Sequence, residues 1–298
     1  MYSYADQCIM DLSDNYTLLY SFLGRSLISR FGKDGERALR EATRRYGRDR
    51  GETLRKKHEA LGVKVNMQSL FTICSDLPPD PRFRRELQEL NPEERVSHTL
   101  FCPMSDIWRQ YGERYIGRIY CEEFHPACYC HYAFDYARAN LSMTLTQEED
   151  DYCNFNVVLR AENLPDSLKP RCFAEYDPGY SAPKLNLPPV DGKKGFECIS
   201  VKIYYYILET SLEYLGNEAI ASIAEGLQLA AKDASKRAQK TASNYKHRFD
   251  RDLIYDTYPL TMDRDKTTLW SGYTAHRAVE LFEENFVATM EEELHKNE

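Results

Sequence analysis

The sequence lacks the patterns that mark a membrane protein, a secreted protein or several common enzyme classes. No stretch approaches the roughly 18 consecutive apolar residues that a membrane-spanning helix needs, and the N-terminus shows neither the basic start nor the apolar run of a signal peptide. A glycine-rich phosphate loop, a Gly-x-Ser-x-Gly elbow and a His-Glu-x-x-His helix are also missing. These absences argue against a P-loop enzyme, an ordinary serine hydrolase and a zinc protease, and they predict a soluble protein without a membrane partner.

The amino-acid composition limits the functional class and the cellular location of the protein further. The 298 residues carry a formal net charge of −8, which argues against a surface built for nucleic acid. Nine cysteines in a chain without a secretory signal favour reduced thiols and a cytoplasmic location. The 22 tyrosines suit pockets and interfaces as well as cores, which leaves homo-oligomerisation open. The basic side chains of residues 37–57 are interpreted as a solvated helix face. Ion pairs at helical spacing, such as Glu41 with Arg45, would stabilise that face.

Apolar spacing predicts helices in the first part of the chain. Residues 15–60 have helical spacing, and a further helix runs from Asp106 to His125. Pro126 is expected to end that helix, because proline disfavours helical geometry in the residue before it. The proline-rich stretch 72–104 is predicted as a connector with one short helix near 82–90.

Beyond Pro126 the apolar period changes from helical to alternating. The alternation predicts three strands, at residues 128–134, 141–145 and 153–159, joined by short turns. Consecutive antiparallel strands of this kind bury one face and leave the other wet or covered by helices. The predicted fold class is therefore α+β, with an antiparallel sheet meander packed against helices and a mostly helical C-terminal region.

Proline content divides the chain. Residues 1–160 are predicted as an α+β domain, and residues 196–298 as a helical region. Six of the 13 prolines lie in the stretch between them, residues 161–195, which is predicted to be a linker or a lid over a site. The helix–glycine–helix layout of residues 212–238 resembles that of residues 28–54, so the C-terminal region is a candidate degenerate repeat.

The densest cluster of reactive side chains runs from Tyr120 to His131 and is followed by Asp135. Cys121 and His125 are four residues apart on a predicted helix, so their Cβ atoms are expected about 5–6 Å apart on one face. A thiol beside an imidazole can become a thiolate that attacks a C=N or C=O carbon. We predict Cys121 as nucleophile, His125 as proton shuttle and Asp135 (or Glu122) as the group that orients the imidazole.

Further side chains are predicted to contact a small-molecule substrate. The series Arg109, Arg114 and Arg118 suits a substrate carboxylate. The predicted substrate-binding residues are Trp108, Arg118, Tyr120 and His131. Two other interpretations stay open: a Cys–His pair that only packs in a core, and a metal site. The Cys128-Tyr-Cys130 spacing is poor for zinc, so no metal and no cofactor are predicted.

Two longer stretches resemble a known family. The run Phe31-Gly-Lys-Asp-Gly35, leading into the Arg- and Gly-containing helix to Glu52, resembles the N-terminal signature of the L-2-amino-thiazoline-4-carboxylic acid hydrolase family. The stretch from Trp108 through Tyr115-Ile-Gly-Arg-Ile-Tyr-Cys121 to the segment ending at Phe155 is similar to the same family. The resemblance covers roughly residues 20–160 and implies a hydrolase that opens a small cyclic amidine or amide-like ring. It supplies no catalytic residues.

A fainter similarity links the chain to 4-vinyl-reductase-like ligand-binding domains, through a helix with Gly117 followed by strands and Cys153. Those domains are α+β and often bind a ligand without transforming it. Some hold zinc through a glutamate and several cysteines, but Thr146 and Met143 stand where this chain would need a Cys and a Glu. The main alternative to a hydrolase is therefore a non-catalytic binding or sensor domain, and a third is an oligomeric scaffold.

Overall fold

The first two helices are long and begin at recognisable caps. The computed structural model describes residues 2–73, 77, 80–258 and 278–296. Helix α1 (Tyr4–Phe31) starts after Ser3, whose side chain accepts a hydrogen bond from the Asp6 amide. It ends at Gly32, which has a positive φ of 57° and lets the chain reverse into α2 (Lys33–Ala60). These helices confirm the prediction for residues 15–60.

The next helical stretch is broken once and then runs further than predicted. After α3 (Met67–Thr72), helix α4 (Pro103–Gln110) is separated from α5 (Arg114–Tyr132) by a turn at Gly112. Helix α5 contains Pro126 in its interior, so the predicted end at His125 and the predicted strand at 128–134 are wrong.

Close packing explains why Pro126 does not end α5. An interior proline removes a backbone donor and costs a helix about 3 kcal/mol. Here α5 lies directly on α2: a Cβ added to Gly51 would fall 2.3 Å from the Cys128 carbonyl oxygen. Cys128 and Tyr132 are almost fully buried in this contact region. Apolar burial of these last two turns outweighs the local cost of the proline.

The sheet has four antiparallel strands in the order β1-β2-β4-β3. Strands β1 (Arg84–Leu90) and β2 (Glu94–Phe101) form a hairpin, where a connector with a short helix was predicted; that prediction is wrong. Strands β3 (Arg138–Met143) and β4 (Cys153–Val158) confirm the two later predicted strands. Helices α4 and α5 lie between β2 and β3 in the chain. Strand β4 pairs with β2 on one side and with β3 on the other.

The rest of the chain is mostly helical. Its helices are α6 (Lys169–Cys172), α7 (Gly192–Leu215), α8 (Ala219–Tyr245), α9 (Arg251–Thr257), α10 (Ala278–Phe282) and α11 (Ala288–His295), with a π-helical turn at Glu283–Val287. The predicted α+β class with a helical C-terminal region is thus confirmed. In the described parts of the chain, no helix is long and apolar enough to cross a membrane.

Two hydrophobic clusters hold these elements together. The larger one joins α1, α2, α4 and α5 to α7, α8 and the last helices, so side chains from both sides of residues 161–195 share it. The smaller one lies between the end of α5, the sheet and α3. The proposed division at residues 160 and 195, and the repeat, stay predictions.

Candidate active site

Cys121, His125 and Tyr129 follow one another at four-residue intervals on α5 and lie toward the sheet. The His125 ring stands perpendicular to the ring of Phe155 on β4, with centroids 5.0 Å apart. Cys121 lies near Cys153 and Thr146. The prediction that Cys121 and His125 belong to one helix is confirmed, because α5 runs through both positions.

The strand register defines the inner face of the sheet opposite α5. Ser97 pairs with Phe155, Thr99 with Cys153, and Arg95 with Val157. Because side chains alternate along a strand, Arg95, Ser97 and Thr99 share the face that carries Cys153 and Phe155. Ser97 and Thr99 are buried, and Arg95 is half-buried. The sheet therefore presents polar side chains toward the thiol and imidazole of α5.

Cys102 and Cys153 are the thiols near enough to Cys121 to influence its pKa. Cys102 is the N-cap residue of α4, and its charge would interact with those of Cys121 and Cys153. The Cys153 sulfur accepts a hydrogen bond from the Leu145 amide at 3.3 Å. The sequence analysis did not assign Cys102 or Cys153 to the site. The position of Cys102 directly before Pro103, a residue typical of the first helical position, could have placed it at the start of a helix.

Burial keeps the thiols protonated. It raises the pKa of Cys121 well above its ordinary value, and the neighbouring thiols add to the rise. It likewise raises the pKa of Cys153 to about 12. Burial also raises the pKa of Cys102, but amide groups of Ser105 and Met104 at the start of α4 act against the rise.

His125 is a neutral imidazole at physiological pH. Burial lowers its pKa to about 3, and the positive charges of Arg85 and Arg95 add to that decrease. Its Nδ1 atom is buried without a hydrogen-bond partner among the described residues. A free ring nitrogen of this kind can accept a proton from a donor placed beside it.

Asp135 lies beside a different histidine. Its carboxylate contacts His131, with 3.1 Å between Oδ1 and Nδ1, and it is exposed just beyond the end of α5. Glu122, the alternative orienting group, accepts hydrogen bonds from Arg118 and Arg40. The described residues thus give His125 no carboxylate partner, and the structure joins Asp135 to His131 instead.

The predicted substrate-binding side chains are spread over several faces. Trp108 is buried against α1, where its Nε1 donates to the Ser21 hydroxyl at 2.8 Å. The Tyr120 hydroxyl shares a 2.8 Å hydrogen bond with Tyr16. Arg118 is paired with Glu122 at 2.6 Å on the exposed side of α5. His131, as described above, lies with Asp135.

The basic face of α2 is neutralised by neighbouring carboxylates. Arg40 contacts Glu36, Glu122 and Glu123, and Arg45 contacts Glu41 and Glu213. An open depression of about 320 Å³ lies over this helix, lined by Lys33, Glu36, Arg37, Arg40 and Arg44. These ion pairs agree with the interpretation of the region as a solvated helix face.

The described side chains do not form a metal-binding cluster. Within residues 2–73, 77, 80–258 and 278–296, no group of three or more Cys, His, Asp or Glu side chains is arranged to hold a metal ion.

Fold and site together define an α+β protein in which a helix carries a thiol and an imidazole against an antiparallel sheet. The model of the family described as L-2-amino-thiazoline-4-carboxylic acid hydrolase matches residues 15–157. The matched part is nearly half of the chain, and it includes every residue of the thiol and imidazole site. No curated protein and no solved structure matches the chain.

Proposed function

We propose that the protein is a hydrolase that opens a small heterocyclic acid by breaking a C–N or C–S bond next to an amidine or amide-like carbon. The carrying observation is that Cys121 and His125 lie on one face of α5, toward the polar inner face of the sheet. The family match over residues 15–157 supports hydrolysis as the reaction type. The substrate would occupy a narrow cleft between α5 and the sheet.

The half-burial of α5 side chains supports such a cleft. Cys121, His125 and Tyr129 keep some accessible surface, although burial is the largest cause of the pKa shift of each. Side chains that are surrounded by protein and still reach a solvent-sized space line a concavity. A flat small ring fits such a space better than a peptide or a nucleic acid does.

The mechanism we propose starts from a neutral thiol and a neutral imidazole. As the Cys121 sulfur bonds to the ring carbon, His125 takes the thiol proton and passes it to the ring nitrogen or sulfur that leaves. A water molecule then attacks the same carbon and releases Cys121 as a thiol. One water is consumed, one ring bond is broken, and both side chains return to their starting state.

A non-catalytic binding domain is the second candidate. The high pKa of the Cys121 thiol and the lack of a described carboxylate beside His125 both favour binding without chemistry, because neither group is activated at rest. The same cleft would then hold an intact ring.

One experiment separates the two. Purified protein is incubated with 2-amino-thiazoline-4-carboxylate, with hydantoins and with cyclic amidines, and ring opening is read as a mass gain of one water. We expect turnover by the wild type and by Cys8→Ala, a cysteine near the start of α1, and none by Cys121→Ala. Binding of an intact ring by both the wild type and Cys121→Ala, without product, would instead identify a sensor.

We also propose that the protein works in a reducing compartment such as the cytoplasm. The eight described cysteines are all free thiols, which is usual where glutathione keeps thiols reduced.

A further inference from the structure

Arg95 is a half-buried cation that has no anionic partner among the residues the structure describes. It lies on β2 facing α5, and no hydrogen bond or ion pair to its side chain occurs among the described residues. Its guanidinium carbon sits 4.1 Å from the centroid of the Phe71 ring, and the Phe71 ring in turn contacts Tyr129. The aromatic ring fixes the guanidinium plane but does not neutralise its charge.

Two other half-buried arginines of the protein, in contrast, have carboxylate partners. Arg82 contacts the carboxylates of Asp14 and Asp80, and Arg237 contacts those of Asp14 and Asp233. A guanidinium removed from water is normally compensated in this way, since the desolvation penalty of an unpaired ion is several kcal/mol. Burial lowers the pKa of Arg95, Tyr129 acts against that decrease and the nearby charge of Arg85 adds to it. The charge of Arg95 in turn contributes to the low pKa of His125.

Ser97 supplies a second unpartnered group on the same face. It is two residues along β2 from Arg95, which places their Cα atoms about 7 Å apart. Ser97 is only 1% exposed, and its Oγ has no hydrogen-bond partner within the described structure. Its cross-strand neighbour is Phe155, the residue whose ring contacts His125. Buried hydroxyls are rarely left unpaired unless a ligand or water completes them.

We propose that Arg95 and Ser97 form the subsite that binds the carboxylate of a small ring acid. The guanidinium donates two parallel hydrogen bonds to the carboxylate oxygens, and the Ser97 hydroxyl donates a third. The inference rests on the proposed function for one point, which is that the ring then extends from this subsite toward His125 and Cys121. It assigns carboxylate recognition to the inner sheet face, not to Arg118 on the exposed side of α5.

Ligand binding tests the subsite without requiring turnover. Thiazolidine-4-carboxylate and pyrrolidine-2-carboxylate are ring acids that have no amidine carbon to attack, and their carboxamides are controls of nearly the same shape that lack the negative carboxylate. Dissociation constants are measured by calorimetry for the wild type, Arg95→Met, Ser97→Ala and Arg48→Met. Arg48 is an exposed arginine on α2 and serves as the matched control.

We expect the wild type to bind the acids and to discriminate against the carboxamides. Arg95→Met should weaken acid binding about 10- to 100-fold, as is typical for loss of a charged hydrogen bond. Ser97→Ala should weaken it about threefold or more, and Arg48→Met should not change it. Equal binding of acid and carboxamide by the wild type, no binding of the acids, or wild-type affinity in Arg95→Met would overturn the proposal.

Further outcomes keep this proposal separate from catalysis. If Arg95→Met does not fold, Arg95→Lys replaces it; this variant should keep a preference for acids but bind them more weakly, because lysine lacks the planar fork. Ring opening with a KM that Arg95 variants leave unchanged would refute the subsite and leave the hydrolase intact. Acid binding that depends on Arg95, in a protein that opens no ring, would support the subsite and refute the hydrolase.

Discussion

The imidazole of His125 packs edge-on against the phenyl ring of Phe155, with an interplanar angle of 90°, and this contact joins α5 to β4 at the candidate site. It excludes water from one side of the imidazole, which accords with burial as the main cause of the low pKa of His125. A neutral imidazole held against an apolar ring is ready to accept a proton but does not carry one at rest.

The protonation state of His125 gives the first prediction. Its pKa is about 3 in the folded protein, below the ordinary 6.5, so the unfolded chain binds one more proton between these values. The stability this provides is fully present above pH 6.5 and is lost as pH falls toward 3, with a slope of at most about 1.4 kcal/mol per pH unit. Urea unfolding of the wild type and His125→Asn should show a stability difference that shrinks from pH 7 to pH 4.5.

Above pH 7 the same difference should be constant, which serves as the internal control. NMR should show no titration of the His125 ring between pH 8 and pH 5. A midpoint near pH 6.5 for this ring would contradict the neutral resting state.

The second prediction concerns the reactivity of Cys121. Burial raises the pKa of this thiol well above its usual range, so very little thiolate exists at pH 7.5. Iodoacetamide should label Cys121 far more slowly in the native protein than in urea, as measured by peptide mass spectrometry. Rapid native labelling at pH 7.5 would mean that the protein stabilises the thiolate at rest, and that the neutral starting state is wrong.

The contact between α2 and α5 gives the third prediction. A methyl group at Gly51 would fall 2.3 Å from the Cys128 carbonyl oxygen, which belongs to backbone and cannot turn aside. Gly51→Ala should therefore destabilise the fold by about 2–3 kcal/mol, the upper range for overpacking. Arg48→Ala, on the exposed side of the same helix, should change the free energy of unfolding by less than about 0.5 kcal/mol. Equal stability of the two variants would show that the helices can separate freely.

Asp14 supports the fourth prediction. It bridges the guanidinium groups of Arg82 and Arg237, and burial raises its pKa to about 6, so it is ionised at pH 7.5. Asp14→Asn removes a charge that two buried arginines share and should cost about 2–4 kcal/mol. Asp252→Asn, an exposed aspartate on α9, is the control in the same urea titration. A cost no larger than that of the control would show that Asp80 and Asp233 suffice for the arginines.

Much of the fold could be predicted because the spacing of apolar residues along the chain indicates helices and strands. Helical spacing identified α1 and α2, and alternation identified β3 and β4, since each element buries one face. Strand β1 was not predicted because its side chains are exposed on both faces, so its sequence shows no alternation of apolar and polar residues. The end of α5 was predicted wrongly at Pro126. The packing that stabilises the helix beyond this proline involves Gly51, about 75 residues earlier in the chain, and no local pattern shows that contact.

Some residues of the candidate site could likewise be predicted from the sequence, and others could not. Cys121 and His125 could be paired from sequence because helix geometry alone brings them together. Cys102 and Cys153 join them only through the register that sets Thr99 beside Cys153, and no local pattern reports a register between distant strands. Arg95 stands in an ordinary charged run next to Glu94, so only the three-dimensional structure shows that it has no partner within the described part of the chain.

The rate of ring opening in matched variants tests the central claim most directly. With 2-amino-thiazoline-4-carboxylate as substrate, we predict that Cys121→Ala abolishes product formation and that His125→Asn lowers kcat at least about 100-fold, the usual contribution of a general base. Circular dichroism should confirm that both variants remain folded. Turnover at the wild-type rate by both folded variants would contradict a reaction carried out by these two side chains.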